Sequence, residues 1–177
     1  KEFARILGQD LDENGISVIE LESKSRMKRD GRSLVKLLYS FNIPYLFLID
    51  KDEHDSREEA EGEIVDSIKR DDGEGWWNTE WENFRSLEKY CIESYLIDNS
   101  AVAKELDESS TDVEEKLNAY ADMEDKSEVL QNIYEEFLDL DYKKDRDGLK
   151  IARRFKEEDI DNEIKDIITS VVKKSQN

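Results

Sequence analysis

An α/β fold with a parallel sheet, followed by a helical C-terminal region, is predicted from three observations. The first is the segment Ile16-Ser-Val-Ile-Glu-Leu21, partly alternating and rich in β-branched residues, which reads as a strand. The second is the uninterrupted apolar run Tyr45-Leu-Phe-Leu-Ile49, the pattern of a strand buried on both faces. Between them Leu34, Val35, Leu37, Leu38 and Phe41 recur at helical spacing, so residues 16–50 form a βαβ unit with a right-handed crossover. The third is helical periodicity from about Ser100 onward, in the stripes Val129, Leu130, Ile133, Tyr134, Phe137, Leu138 and Ile160, Ile164, Ile167, Ile168, Val171, Val172. The expected division is an α/β domain over 1–98 and a helical extension over 99–177 packed on it.

The remaining elements follow in order. Glu2–Leu7 reads as a short helix ended by Gly8, and Asn14-Gly15 marks a turn. Residues 22–30 read as a polar loop. Asn42-Ile43-Pro44 stops the helix before the apolar run. Residues 53–75 are almost wholly charged or glycine and read as a loop, with a helical stretch over 57–68. Trp76, Trp77 and Trp81 then read as anchors pinning that segment to the domain, with base stacking the alternative. A short strand over 82–87 and a helix over 90–97 follow, and Thr111-Asp-Val-Glu114 has the spacing of a capping box.

Charge bounds the chemistry. The 177 residues carry a formal net charge of -19, with 41% charged and 37% hydrophobic residues. Such a carboxylate excess opposes contact with nucleic-acid phosphates unless a divalent metal, a local basic strip or a basic partner intervenes. The single cysteine, Cys91, excludes an intrachain disulfide and CxxC metal sites, and fits a reducing, cytoplasmic setting. His54 is the single histidine, which removes most zinc sites and His-based triads. A metal here is a hard cation held by oxygens, Mg, Mn or Ca. No uncharged run has the length of a membrane span.

The chemistry-bearing pattern is Asp50-Lys51-Asp52, just past the apolar strand. If the backbone stays extended, carboxylates at i and i+2 project the same way and share a cation. Without one, their repulsion raises a pKa. A solvated strand end is the competing account. An EF-hand loop over 50–61 matches at Asp50, Asp52 and Glu61, but it places His54 and Asp55 at positions five and six and is entered from a strand containing Pro44. A phosphotransferase of the haloacid-dehalogenase type also has Asp-x-Asp after an apolar strand. That family has Thr where this chain has His54, and Asp71-Asp72 lies in a polar loop.

A wider resemblance covers residues 3–98. Asp10–Glu20 with Ser23-Lys24-Ser25, the helix ending Phe41-Asn-Ile-Pro44, Tyr45-Leu-Phe-Leu-Ile-Asp-Lys-Asp52 and Leu87-Glu-Lys-Tyr-Cys-Ile-Glu-Ser-Tyr-Leu-Ile-Asp98 resemble the Toprim domain of OLD-family (overcoming lysogenization defect) ATP-dependent endonucleases, relatives of the Gabija phage-defence nucleases. The resemblance implies metal-dependent DNA cleavage beside an ABC-type ATPase domain. Asp50, Asp52 and Glu93 would hold Mg or Mn. A lysine from the later helical region would steady the phosphate, with Lys143, Lys144 and Lys150 as candidates and Lys144 as the choice. Implied partners are DNA, an ATPase domain or subunit, and further copies of the chain, with no membrane. Toprim domains open with a strand ending in a glutamate, and no segment here corresponds to it; nor is there a GxxxxGK[ST] motif. The expectation is therefore a fragment, a split gene product, or a domain whose first strand comes from another polypeptide. The alternative function is a non-catalytic Toprim-like module that docks on an ATPase partner.

Overall fold

A computed structural model describes residues 1–21, 23–69 and 83–176. The tryptophans Trp76, Trp77 and Trp81, and the Asp71-Asp72 pair, lie outside the described residues. The chain is α/β, with a parallel two-stranded sheet of β1 (Phe47–Ile49) and β2 (Phe84–Ser86) and mostly helical structure around it. Phe47 pairs with Phe84, Leu48 with Arg85 and Ile49 with Ser86.

The short first helix, α1 (Glu2–Ile6), and the turn glycines are as expected; Gly8 (φ +66°) and Gly15 (φ +69°) both use the left-handed region. The first departure is at residues 16–21, which form no strand. Val18 and Ile19 are 58% and 75% exposed, and no described strand lies alongside them to accept a ladder. Alternating sequence is worth nothing as a strand without a neighbour to pair with. The βαβ unit is therefore not 16–50 but β1, α3 (Arg57–Lys69) and β2.

The second departure is that residues 24–30 are helical. Helix α2 (Lys24–Ser40) starts seven residues before Gly31, with the Ser23 hydroxyl accepting from Arg26 N–H at 3.2 Å. Its buried line is Met27, Gly31 and Val35, an i, i+4 series that the glycine hides from a hydrophobic count. Gly31 is needed for close approach: a Cβ there would lie 3.0 Å from Ile68 Cδ1 on α3. The helical stretch expected over 57–68 is α3, Arg57–Lys69. Ser56 Oγ accepts from Glu59 N–H, and Glu59 returns a bond to Asp55 N–H.

A smaller core forms where α2 and α3 cover the sheet: Met27, Val35, Phe47, Ile49, Ile64, Val65, Ile68 and Phe84. Phe47 and Phe84 stack across the strand pair at 4.9 Å between centroids. Leu48 is 42% exposed, so β1 is buried on one face and not on both.

The larger core is helical and unites residues on both sides of position 98. Ala4, Leu87, Tyr95 and Leu96 join apolar side chains of α4 (Asn99–Leu106), α5 (Ser110–Ala119), α6 (Lys126–Leu138), α7 (Leu149–Ala152) and α8 (Asn162–Ser175). Both expected stripes supply it, through Val129, Leu130, Ile133 and Tyr134 on α6 and Ile164, Ile167 and Ile168 on α8. The N-cap of α5 is Ser109, not Thr111: its hydroxyl accepts from Asp112 N–H at 3.1 Å. Residues 90–97 form a 3-10 turn, Ile92–Tyr95, in place of the expected helix.

Ile133→Ala empties a fully buried site and is expected to cost about 3 kcal/mol, read as a lower urea midpoint. Ile19→Ser, at the position read from sequence as strand core, is expected to change stability by under about 0.5 kcal/mol.

Candidate metal centre

The site begins where parallel pairing stops. Leu87 N–H donates to Ile49 O at 2.9 Å, the last rung, and the two strands then continue side by side as loops. Asp52 N–H donates to Tyr90 O at 2.8 Å, and Ile92 N–H donates to Asp50 Oδ1 at 3.0 Å. These bonds place the loop after β1 against the 3-10 turn after β2. Carboxyl ends of parallel strands are where such folds put their ligands.

Glu93 is paired with Lys144, and Asp50 lies within electrostatic range of both. Glu93 is only 1% exposed. Its carboxylate meets Lys144 Nζ at 2.9 Å (Oε1) and 3.2 Å (Oε2). Oε1 has no conventional hydrogen bond in addition to that ion-pair contact. Burial raises the Asp50 pKa above its ordinary value, opposed by the Lys144 charge and the Ile92 N–H and reinforced by the charges of Glu93 and Asp52. Burial alone would lower the pKa of Lys144, but the Glu93 hydrogen bond and the charges of Glu93 and Asp50 hold it above the usual lysine value. The ammonium is thus firmly charged.

Asp52 does not join this pair. Its φ of +51° turns the chain immediately after Lys51, so the extended geometry that would align Asp50 with Asp52 is absent. Aspartate enters the left-handed region more readily than most residues. Its Oδ2 meets Lys24 Nζ, at the start of α2, at 2.7 Å. Among the described residues no three His, Cys, Asp or Glu side chains gather in a metal-holding group. The donor set nevertheless suits a hard cation: Asp50 and Glu93 offer oxygen alone, and the buried Glu93 carboxylate requires a positive partner. His54 pairs with Glu63 (3.2 Å) and stands apart.

Of the three candidate lysines, Lys144 is the one whose Nζ reaches Glu93. It opens a π-helical turn, Lys144–Gly148, a form of backbone frequent at functional sites. That turn was not foreseen, because Lys143–Gly148 has no apolar period to read. It is organised by Asp147, which is fully buried. Asp147 accepts from Lys143 N–H (2.8 Å), from Arg146 by two bonds (2.8 Å each) and from Lys150 Nζ (3.0 Å). These bonds hold its carboxyl far below the usual range, the Arg146 pair foremost. Gly148 lets the turn press on its support: a Cβ there would lie 2.8 Å from Tyr142 Oη and 3.2 Å from Leu96 Cδ1. Lys143 contacts Asp141 instead (3.4 Å), and Lys150 serves Asp147.

A third buried carboxylate, Glu163 on α8, braces the loop that carries Glu93. It accepts from Glu88 N–H (3.0 and 3.1 Å) and from the Tyr95 hydroxyl, while Lys89 N–H donates to Tyr95 Oη at 3.1 Å. The far helix therefore anchors both ends of the segment 88–95 that carries Glu93.

Because the Asp147 pKa is depressed in the folded state, its stabilisation is complete above the unfolded value and fades as pH falls through that range. Asp147→Asn is expected to cost about 2 kcal/mol at neutral pH. In thermal melts the gap from the wild type should hold down to about pH 5 and narrow progressively below about pH 4, as pH falls toward the depressed folded-state value.

No curated protein and no solved structure matches the chain. Residues 1–52 match the family model described as "Overcoming lysogenization defect protein-like, TOPRIM domain". The matched stretch ends on the Asp50–Asp52 pair itself.

Proposed function

We propose that this chain supplies the metal-binding part of a DNA endonuclease of the OLD/Gabija type, a nuclease-type module working beside an ATPase domain or subunit. The carrying observation is that Asp50, after β1, is bonded to Ile92 N–H in the turn after β2, beside the buried Glu93, which pairs with Lys144 at 2.9 Å. In this reading Asp50 and Glu93 hold Mg2+ or Mn2+, with Asp52 recruited from its pair with Lys24. The metal would supply Lewis-acid polarisation of a phosphodiester and activation of water.

The chain's own residues do the rest. Ile92 N–H fixes the orientation of the Asp50 carboxylate, and Glu163 and Tyr95 hold the loop that presents Glu93. Lys144 balances the Glu93 charge before metal binds and then turns to the phosphate as negative charge develops there. Its 52% exposed side chain has room to swing. The setting we assign is cytoplasmic phage defence or DNA processing, in an oligomeric assembly. No described helix is long and apolar enough to cross a membrane.

One observation favours a second reading, a non-catalytic module that docks on an ATPase partner. Lys144 and Lys24 already neutralise Glu93 and Asp52 from within the chain. Calorimetric titration with MnCl2 separates the two. The nuclease reading expects saturable binding, lost in Glu93→Gln and in Asp50→Asn, and Mn-dependent nicking of supercoiled plasmid. Activity that survives Asp50→Ala would falsify it. Absence of Mn2+ binding, together with stable association with an ATPase, establishes the docking module instead.

Lys144→Ala carries a signed expectation. Removing the competing ammonium should tighten Mn2+ binding, while nicking falls by about 10²-fold or more because a positive group at the phosphate is lost. Titration and nicking measured on the same preparation read both effects.

A further inference from the structure

Helix α2 reverses the charge of the molecule. Its 17 residues hold six cations (Lys24, Arg26, Lys28, Arg29, Arg32, Lys36) against one acid, Asp30, a net of +5 within a chain of -19. The helix buries Met27, Gly31 and Val35 against α3 and the sheet, and the opposite face is turned outward. At about 100° per residue, Arg26, Arg29 and Lys36 fall within a sector roughly 80° wide, centred opposite the buried line. Arg29 is 71% and Arg26 44% exposed, and Lys36 is exposed as well. Ser33 lies exposed in the same sector and adds a hydroxyl, while the Ser40 hydroxyl, also exposed there, donates to Lys36 O at 2.7 Å.

We infer that this outer face of α2 is a binding surface for the phosphate backbone of DNA. From Arg26 to Lys36 the helix rises about 15 Å, the axial length of four to five nucleotides of one strand. Guanidinium forks and an ammonium at that spacing match a row of phosphates. The acidic remainder of the chain does not forbid the contact, since exposed charges beyond about 8 Å are screened at physiological salt. Asp30, paired with Arg29 at 2.9 Å and Arg26 at 3.7 Å, is an exposed partner that a phosphate can displace. The helix itself starts beside the candidate centre, because Lys24, on its inner side, holds Asp52. An acidic protein segment is the competing occupant, but cations repeated along one face of a helix suit a regular phosphate ladder better.

The inference rests on the DNA-directed reading of the chain and is tested apart from its metal chemistry. Fluorescence anisotropy of a labelled duplex, with EDTA present throughout, measures affinity as a function of salt. With about three phosphates engaged, the wild-type chain should show a log–log salt slope near -3 and lose roughly 40-fold in affinity between about 50 and 200 mM salt. Arg26→Gln/Arg29→Gln/Lys36→Gln should abolish most of the slope and weaken binding at low salt by tenfold or more, with its circular dichroism unchanged. Lys104→Gln/Lys116→Gln/Lys156→Gln, an equal loss of charge at exposed sites elsewhere, should keep the slope near -3. Three results overturn the inference: no duplex binding by the wild type, an unchanged slope in the α2 variant, or equal losses in both variants. Preferential binding of a labelled polyglutamate peptide would also overturn it. A separate Mn2+ titration of the wild type reads the metal proposal alone, so either can fail without the other.

Discussion

Burying a charged group costs free energy unless it is paired, and in this chain that constraint falls on Glu93, which is 1% exposed. Lys144 meets it from 51 residues away, at 2.9 Å. The pair joins the carboxyl edge of a small parallel sheet to a π-helical turn in the helical region. Much of the surrounding structure serves to hold its two halves. Asp147, Gly148 and Tyr142 shape the turn that presents Lys144, and Glu163 and Tyr95 brace the loop that presents Glu93. Buried pairs of this kind contribute little net stability against an apolar alternative, because desolvation offsets attraction. Their presence is better explained by a task that needs charge at that point.

The same arrangement explains how the two acidic residues flanking Lys51 come to have different surroundings. Asp50 lies against the buried pair, where burial and neighbouring negative charge disfavour ionisation and Lys144 compensates. Asp52, one turn away at φ +51°, faces the basic first turn of α2. Each carboxylate is matched to a separate cation of the chain, Lys144 from the helical region and Lys24 from α2. A divalent ion shared by Asp50 and Glu93 would free Lys144, and recruitment of Asp52 would free Lys24. Both released ammonium groups would then stand beside the centre, where a phosphodiester would need them.

Local chemistry was legible in the residues themselves: Gly8 at a helix end, the Asn14-Gly15 turn, the apolar strand that stops at Asp50, and the two late stripes that became α6 and α8. These signals depend on neighbours three or four positions apart, or on a single φ requirement, so they survive without tertiary context. The likeness of residues 1–52 to the OLD-like TOPRIM domain was legible for the same reason, carried by short contiguous motifs. What could not be read locally was which strand would find a partner. Residues 16–21 have the composition of a strand and pair with no described strand, whereas Phe84–Ser86 pairs with Phe47–Ile49 across α3. Pairing is a property of two segments, and neither sequence contains the other.

The sequence by itself determined the residue types available for chemistry: oxygen ligands without thiol or imidazole clusters, an aspartate pair at a strand end, and one basic stretch over residues 24–36. Tertiary structure decided which of them meet. It separated Asp52 from Asp50 by a left-handed residue and brought Glu93 and Lys144 into contact. It also turned the cations of α2 outward by burying Met27, Gly31 and Val35. The physical reason is that a charge's partner is set by burial and by long-range packing, and both are fixed only when the two cores close.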